Sequence, residues 1–178
     1  ACRHTRRIRD ILVRSASRFG PQTAVLAVRF YPAEGDASAE IAARAGIAAA
    51  NQGAYREMHR ALFSRPANYT EGVVRHIAEQ LDLDMARFDA DLKSDATTRR
   101  LEEDHRSAHE SGASDTPIVF IDGRRYEGAW DEAAVVEAIE KPLGVRLSLA
   151  RPSSALPRRA QRHVRSLAWI PTKVPHAC

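Results

Sequence analysis

Apolar residues along this chain recur at two spacings, and each change from one to the other marks an element boundary. Near the start, Ile8, Ile11, Leu12 and Ser15 share one face of a helical wheel, with Arg6, Arg7, Arg9 and Arg14 around it. Residues 2–19 therefore read as a basic amphipathic helix, stopped by Gly20-Pro21. Thr23–Phe30, TAVLAVRF, is a continuous β-compatible run too short for a helix. It predicts a strand buried on both faces and ended by Tyr31-Pro32.

Helical spacing then persists for some seventy residues. Ser38–Ala50 is Ala-rich, and Gly53–Phe63 carries Tyr55, Met58, Leu62 and Phe63 at helical intervals. Thr70 and Glu71 open a helix striped by Val73, Val74, Ile77 and Leu81. Asp84 caps a short helix with Met85, Phe88 and Leu92 on one side, and Ser94 or Asp95 begins another that runs to Gly112. Met58, His59, Leu62 and Phe63 could line a groove, but apolar residues at this spacing are more often core.

Ser114–Gly128, SDTPIVFIDGRRYEG, packs several instructions into one stretch. A Thr-Pro step enters the apolar run Ile118–Ile121; Asp122-Gly123 supplies a two-residue hairpin turn; Arg124–Gly128 is the return strand. Asp131 caps a last helix with Ala and Val on its buried side, and Trp130 just before it reads as a packing residue. By local residues alone the Thr116-Pro117 bond is trans, as most X-Pro bonds are.

In this order, RFYP, an Ala-rich helix, AYREMHRALFS, LDLDMARFDADL and TPIVFIDGRRYEG resemble the DsbA-like branch of the thioredoxin superfamily, over about residues 2–142. Two departures are Phe30-Tyr31 for the usual His-Phe, and residues 36–39 where the family often has His-Pro-His-Ala. The resemblance implies a thioredoxin-like α/β fold with a helical insertion over about 38–112, the domain occupying 1–144. It implies thiol-disulfide exchange on protein or peptide substrates with a redox partner, outside the cytoplasm, with no cofactor. It also implies a cis Thr116-Pro117 bond facing the active thiol. Cys2, Thr116 and Pro117 are the residues that inherit those roles.

Family members use Cys-x-x-Cys at the start of the first helix, where helix dipole and free N–H groups stabilise thiolate. Here Cys2 alone stands at that place. Either Ala1-Cys2 is the remainder of such a motif and Cys2 resolves, or Cys2-Arg3-His4-Thr5 is the motif, Cys2 attacks and Thr5 replaces its partner. His4 would then be a proton shuttle, or else an ordinary helix-start histidine. The resemblance also puts a strand ahead of the dithiol, in the middle of the sheet between 23–30 and 118–121. Its residues are missing from this N-terminally truncated sequence, so the chain is expected to be destabilised. A redox-inactive module that binds peptide along the Thr116 edge is the alternative.

Composition adds three things. Apolar content of 44% and charged content of 28% describe an ordinary globule, with no apolar run near the roughly 18 residues of a membrane span. Of 27 Lys and Arg, seven fall in residues 145–178 with no acid among them, leaving 20 basic against 23 acidic in the body, a net of −3. The tail is thus strongly basic, with weak periodicity, and is expected to be disordered or a read-through of an altered frame. The weaker readings are a basic amphipathic helix over 158–170, or a nucleic-acid or membrane contact; no nucleic-acid partner is expected.

Two cysteines make no disulfide scaffold. Cys178 could pair with Cys2 only if the tail folds back to the first helix, and a free thiol is expected. His105 and His109 have the i, i+4 spacing of zinc-binding helices but lack a third ligand, so no metal is expected.

Overall fold

The computed structural model describes residues 3–19, 23–66, 68–113, 116–143 and 165–170. These fall into two compact units: one runs from Arg29 to Thr116, and the other joins Arg3–Val28 to Pro117–Ile170.

The first unit is helical: α2 (Ala37–Ala50), α3 (Tyr55–Phe63), α4 (Glu71–Gln80), α5 (Met85–Lys93) and α6 (Asp95–Glu110). Side-chain oxygens start most of them. Asp36, Thr70, Asp84 and Ser94 accept the backbone N–H three residues on, at 2.9, 3.4, 3.0 and 3.1 Å. The expected caps at Thr70, Asp84 and Ser94 are present. Asp36, which starts α2 ahead of Ser38, extends the picture. Gly53, with φ of +77°, turns the chain from α2 into α3.

Ala45, Ala48 and Ala49 let the bulkier Met58, Leu62, Val74, Ile77, Phe88 and Leu92 close over α2, forming this unit's core. Met58 and Leu62 are core residues; neither lines a groove.

The second unit holds the sheet. It contains α1 (Arg3–Ser17), β1 (Ala24–Val28), β2 (Ile118–Ile121), β3 (Arg124–Arg125), α7 (Glu132–Leu143) and β4 (Arg165–Ile170). The strand order is β1-β4-β2-β3. Ile8, Ile11, Leu12 and Ser15 are all buried, as their spacing predicts, and so are Val135, Val136 and Ile139 on α7. Asp131 accepts from the Ala134 N–H at 2.9 Å, the expected cap of α7. At the hairpin, Asp122 and Gly123 have φ of +52° and +77°, the conformation a two-residue turn of this kind demands.

Two expectations are corrected. β1 is not buried on both faces: it is an edge strand of the described sheet, and Val25 is 41% exposed. Successive strand residues point to opposite faces, so the face carrying Val25 is open.

The larger correction concerns the tail, where residues 165–170 are neither disordered nor helical. They form β4, parallel to β1 with Leu26 opposite Leu167, and antiparallel to β2 with Ile118 opposite Ile170. The physical reason is pairing demand. β1 and β2 each offer backbone groups toward the other across one strand's width, and a buried unpaired group costs about 1–3 kcal/mol. One extended run between them satisfies both sides. The rest of the tail, residues 144–164 and 171–178, lies outside the described residues.

Tyr126 shapes the segment after β3. Its hydroxyl donates to the Ala129 carbonyl at 2.6 Å, and its ring meets Trp130 edge-on at 5.0 Å, so Trp130 is a packing residue. The ring lies so near Gly128 that a Cβ there would come within 2.6 Å of the hydroxyl oxygen. Partial burial, then Asp131 and Glu137, raise the phenol above its ordinary value.

Two predictions follow from this unit. Ala168→Pro, which removes an N–H from the central strand opposite Ala27 and Phe120, should lower stability by about 1–3 kcal/mol or more, measured by urea unfolding. Because the folded phenol of Tyr126 titrates above the unfolded one, stability is complete below about pH 10 and falls as pH rises through the folded value. Tyr126→Phe should flatten that alkaline loss, and an ultraviolet phenolate titration should lack one late-titrating tyrosine.

Candidate functional site

Of the three residues the sequence nominates, Thr116 and Pro117 are described and both are half-buried. Pro117 immediately precedes β2; Thr116 is the last residue of the helical unit. Cys2 lies outside the described residues, as does Cys178. α1 begins at Arg3, directly after Cys2, and His4 is its second residue.

The direction of the elements in the sheet unit can be fixed from two sides. β1 follows α1 after only residues 18–23, and hydrogen bonds from Arg18 and Phe19 N–H back to Ser15 and Ala16 keep the first of these close to the helix end. So short a return makes α1 and β1 run in opposite directions.

Independently, Arg14 in the last turn of α1 and Arg18 just after it reach Glu132 in the first turn of α7, at 3.1 and 3.4 Å. α7 follows the β2–β3 hairpin, whose turn marks the far edge of the sheet. Both observations put the start of α1 at the opposite edge, where β1 and β4 end and β2 begins. There Ile170 stands opposite Ile118.

α1 has no acidic residue in its first turn, whereas Arg3, Arg6 and Arg7 lie in or next to it. The backbone N–H groups at a helix start carry partial positive charge. A sulfur there would be favoured as thiolate.

The helical unit contains a second polar arrangement, which sequence reading missed. Asp104 on α6 is buried, with its side chain only 3% exposed. One carboxylate oxygen accepts the Phe30 N–H at 2.9 Å; the other takes Arg100 at 3.3 Å and lies 3.6 Å from Arg29. Beside it, His105 packs its ring on Tyr31 at 4.5 Å.

Phe30 in turn lies over Gly46 of α2, where a Cβ would meet its ring at 2.7 Å, and edge-on to Tyr55 at 6.1 Å. Tyr55, His59 and Phe63 continue as a ring stack along α3. The segment just after β1 is therefore clamped to the helices by a carboxylate and a set of rings. The signal was available: Leu101, Asp104 and Ala108 form one helical stripe, and an acid within an apolar stripe is a buried acid that needs partners.

Asp104→Ala should destabilise the chain by about 2–4 kcal/mol, since it orphans the Phe30 N–H and two guanidinium groups. Asp104→Asn, which keeps an acceptor, should cost less. Urea unfolding of the two variants separates hydrogen bond from charge.

Comparison with known proteins agrees with this architecture. The family model of the DSBA-like thioredoxin domain matches residues 12–142. A Na(+)/H(+) antiporter NhaA of Herminiimonas arsenicoxydans is 45% identical over 101 residues, 56% of this chain and 16% of that protein. NhaA 1 of Salinispora arenicola is 36% identical over 110 residues, 61% of this chain and 17% of its own length. The chain thus spans about a sixth of the curated relatives it matches. No solved structure matches it.

Proposed function

Because the chain belongs to the family of DSBA-like thioredoxin domains, we propose that it carries out thiol-disulfide exchange on protein disulfides, with Cys2 as the reacting thiol and Thr116-Pro117 as the peptide-facing loop. The observation that carries this reading is the shared edge of the sheet. The start of α1, directly after Cys2, and the start of β2, directly after Pro117, lie at the same end of the strands.

In this reading the Cys2 thiolate, favoured by the helix start, attacks one sulfur of a substrate disulfide. One S–S bond breaks, a mixed disulfide forms on Cys2, and the other substrate sulfur leaves as thiolate. Pro117 has no N–H to offer, and in this reading the Thr116 main chain beside it pairs with substrate peptide as an added strand. The cis form of the Thr116-Pro117 bond belongs to the same reading.

The ion antiport named for the relatives is not assigned to this chain. The match covers a small share of those proteins, and among the described residues no helix is long and apolar enough to cross a membrane.

The test is mixed-disulfide formation with a disulfide-bonded peptide, followed by mass spectrometry. Cys2→Ser should abolish the adduct, and Pro117→Ala should slow its formation about tenfold or more, an effect of about 1.4 kcal/mol on the barrier. A Cys2→Ser protein that still binds the peptide, in a chain whose Cys2 never forms the adduct, would replace the redox reading with that of a binding module.

A further inference from the structure

We propose that the outer edge of β1 is a self-association surface, on which a second copy of this chain lays its own β1 antiparallel to form a two-fold dimer. The pairing goes beyond the thiol chemistry proposed above and does not depend on it.

The described sheet has two outer strands, β1 and β3, and they differ in how they meet another chain. β3 is two residues long and both, Arg124 and Arg125, are exposed cations, the kind of short charged edge that discourages pairing. β1 has neither device. Ala24–Val28, AVLAV, is apolar throughout and contains no proline. It keeps an unbroken register with Arg165–Trp169 of β4, so no bulge bends its outer side away. Alternate residues of such a strand turn their N–H and C=O groups outward.

The side chains around this edge match its backbone. Among the described residues the exposed large hydrophobics are Val25, 41% exposed, and Val13, 39% exposed. Val13 belongs to α1, which packs on β1, and it lies on the flank turned away from Arg14 and Arg18, the residues that reach α7. The apolar surface is therefore concentrated on the two elements at this edge.

A second copy is the occupant that fits. Antiparallel pairing about Leu26 sets Leu26 opposite the partner's Leu26, Val25 opposite the partner's Ala27 and Ala24 opposite the partner's Val28. The two Val25 side chains become diagonal neighbours on one face and cover each other. No like charges meet: Arg29, the cation next to the strand, falls opposite the partner's Thr23. About four to six backbone hydrogen bonds form across the axis.

The same patch serves both copies, so the contact closes on itself, and the arginines of β3 leave no second edge for growth. Because the paired strands run in opposite directions, the two starts of α1 lie at opposite ends of the joined sheet. Neither copy covers the other's proposed thiol edge.

The test is sedimentation equilibrium of the full chain over a range of concentrations, with a reductant present so that no disulfide links the copies. Wild type should show a monomer–dimer equilibrium, and hydrogen exchange at the β1 amides should slow as concentration rises. Val25→Lys alters an exposed position and brings two ammonium groups together across the axis; it should weaken the dimer at least about tenfold, with circular dichroism and the urea midpoint unchanged. Val25→Thr, which keeps a β-branched side chain, should weaken it less. Arg124→Ala should not weaken it.

A monomer at every concentration overturns the inference, and so does a dimer that Val25→Lys leaves intact or whose exchange protection appears on another element. Assemblies larger than two that persist in Val25→Lys overturn it as well. Adduct formation per chain should be equal in wild type and Val25→Lys, so loss of the dimer and loss of the thiol chemistry are read separately.

Discussion

Two strands that do not touch, β1 and β2, are made into one sheet by a third that comes from the far end of the sequence. β4 lies parallel to one and antiparallel to the other, so each of its backbone groups answers a partner on one side or the other. Without it, the inward-facing N–H and C=O groups of both neighbours would have to find other partners or water. In the same unit Ile8, Ile11 and Leu12 of α1 and Val135, Val136 and Ile139 of α7 are buried, the two helices packing on one another and α1 on β1.

This dependence links stability to chemistry. The strand that closes the sheet ends where the first helix begins, and the Thr-Pro step enters the sheet at the same end. A change that weakens the pairing of β4 therefore acts on the fold and on the edge where thiol chemistry is proposed. The geometry of that edge is inherited from strand direction.

The helical unit is held differently. Small residues on α2 admit larger ones from α3, α4 and α5, and the caps at Asp36, Thr70, Asp84 and Ser94 set where the helices begin. Its buried carboxylate Asp104 is paired with a backbone N–H and two guanidinium groups, and it fixes the segment that leaves β1. Phe30-Tyr31, a departure from the family's usual residues, is held by ring contacts with Tyr55 and His105 instead.

Local instructions were legible in the sequence because they act over a few residues. The buried stripe of α1, the caps, the Asp122-Gly123 turn and the family signature from Phe30 to Gly128 all depend on spacing and side-chain chemistry within one or two turns of the chain. The open face of β1, the partners of Asp104 and above all the role of Arg165–Ile170 were not. Six residues of a basic tail carry no local mark of a central strand. What makes them one is a row of unpaired backbone groups on strands more than forty residues away, and a demand of that kind exists only once the chain has folded around it.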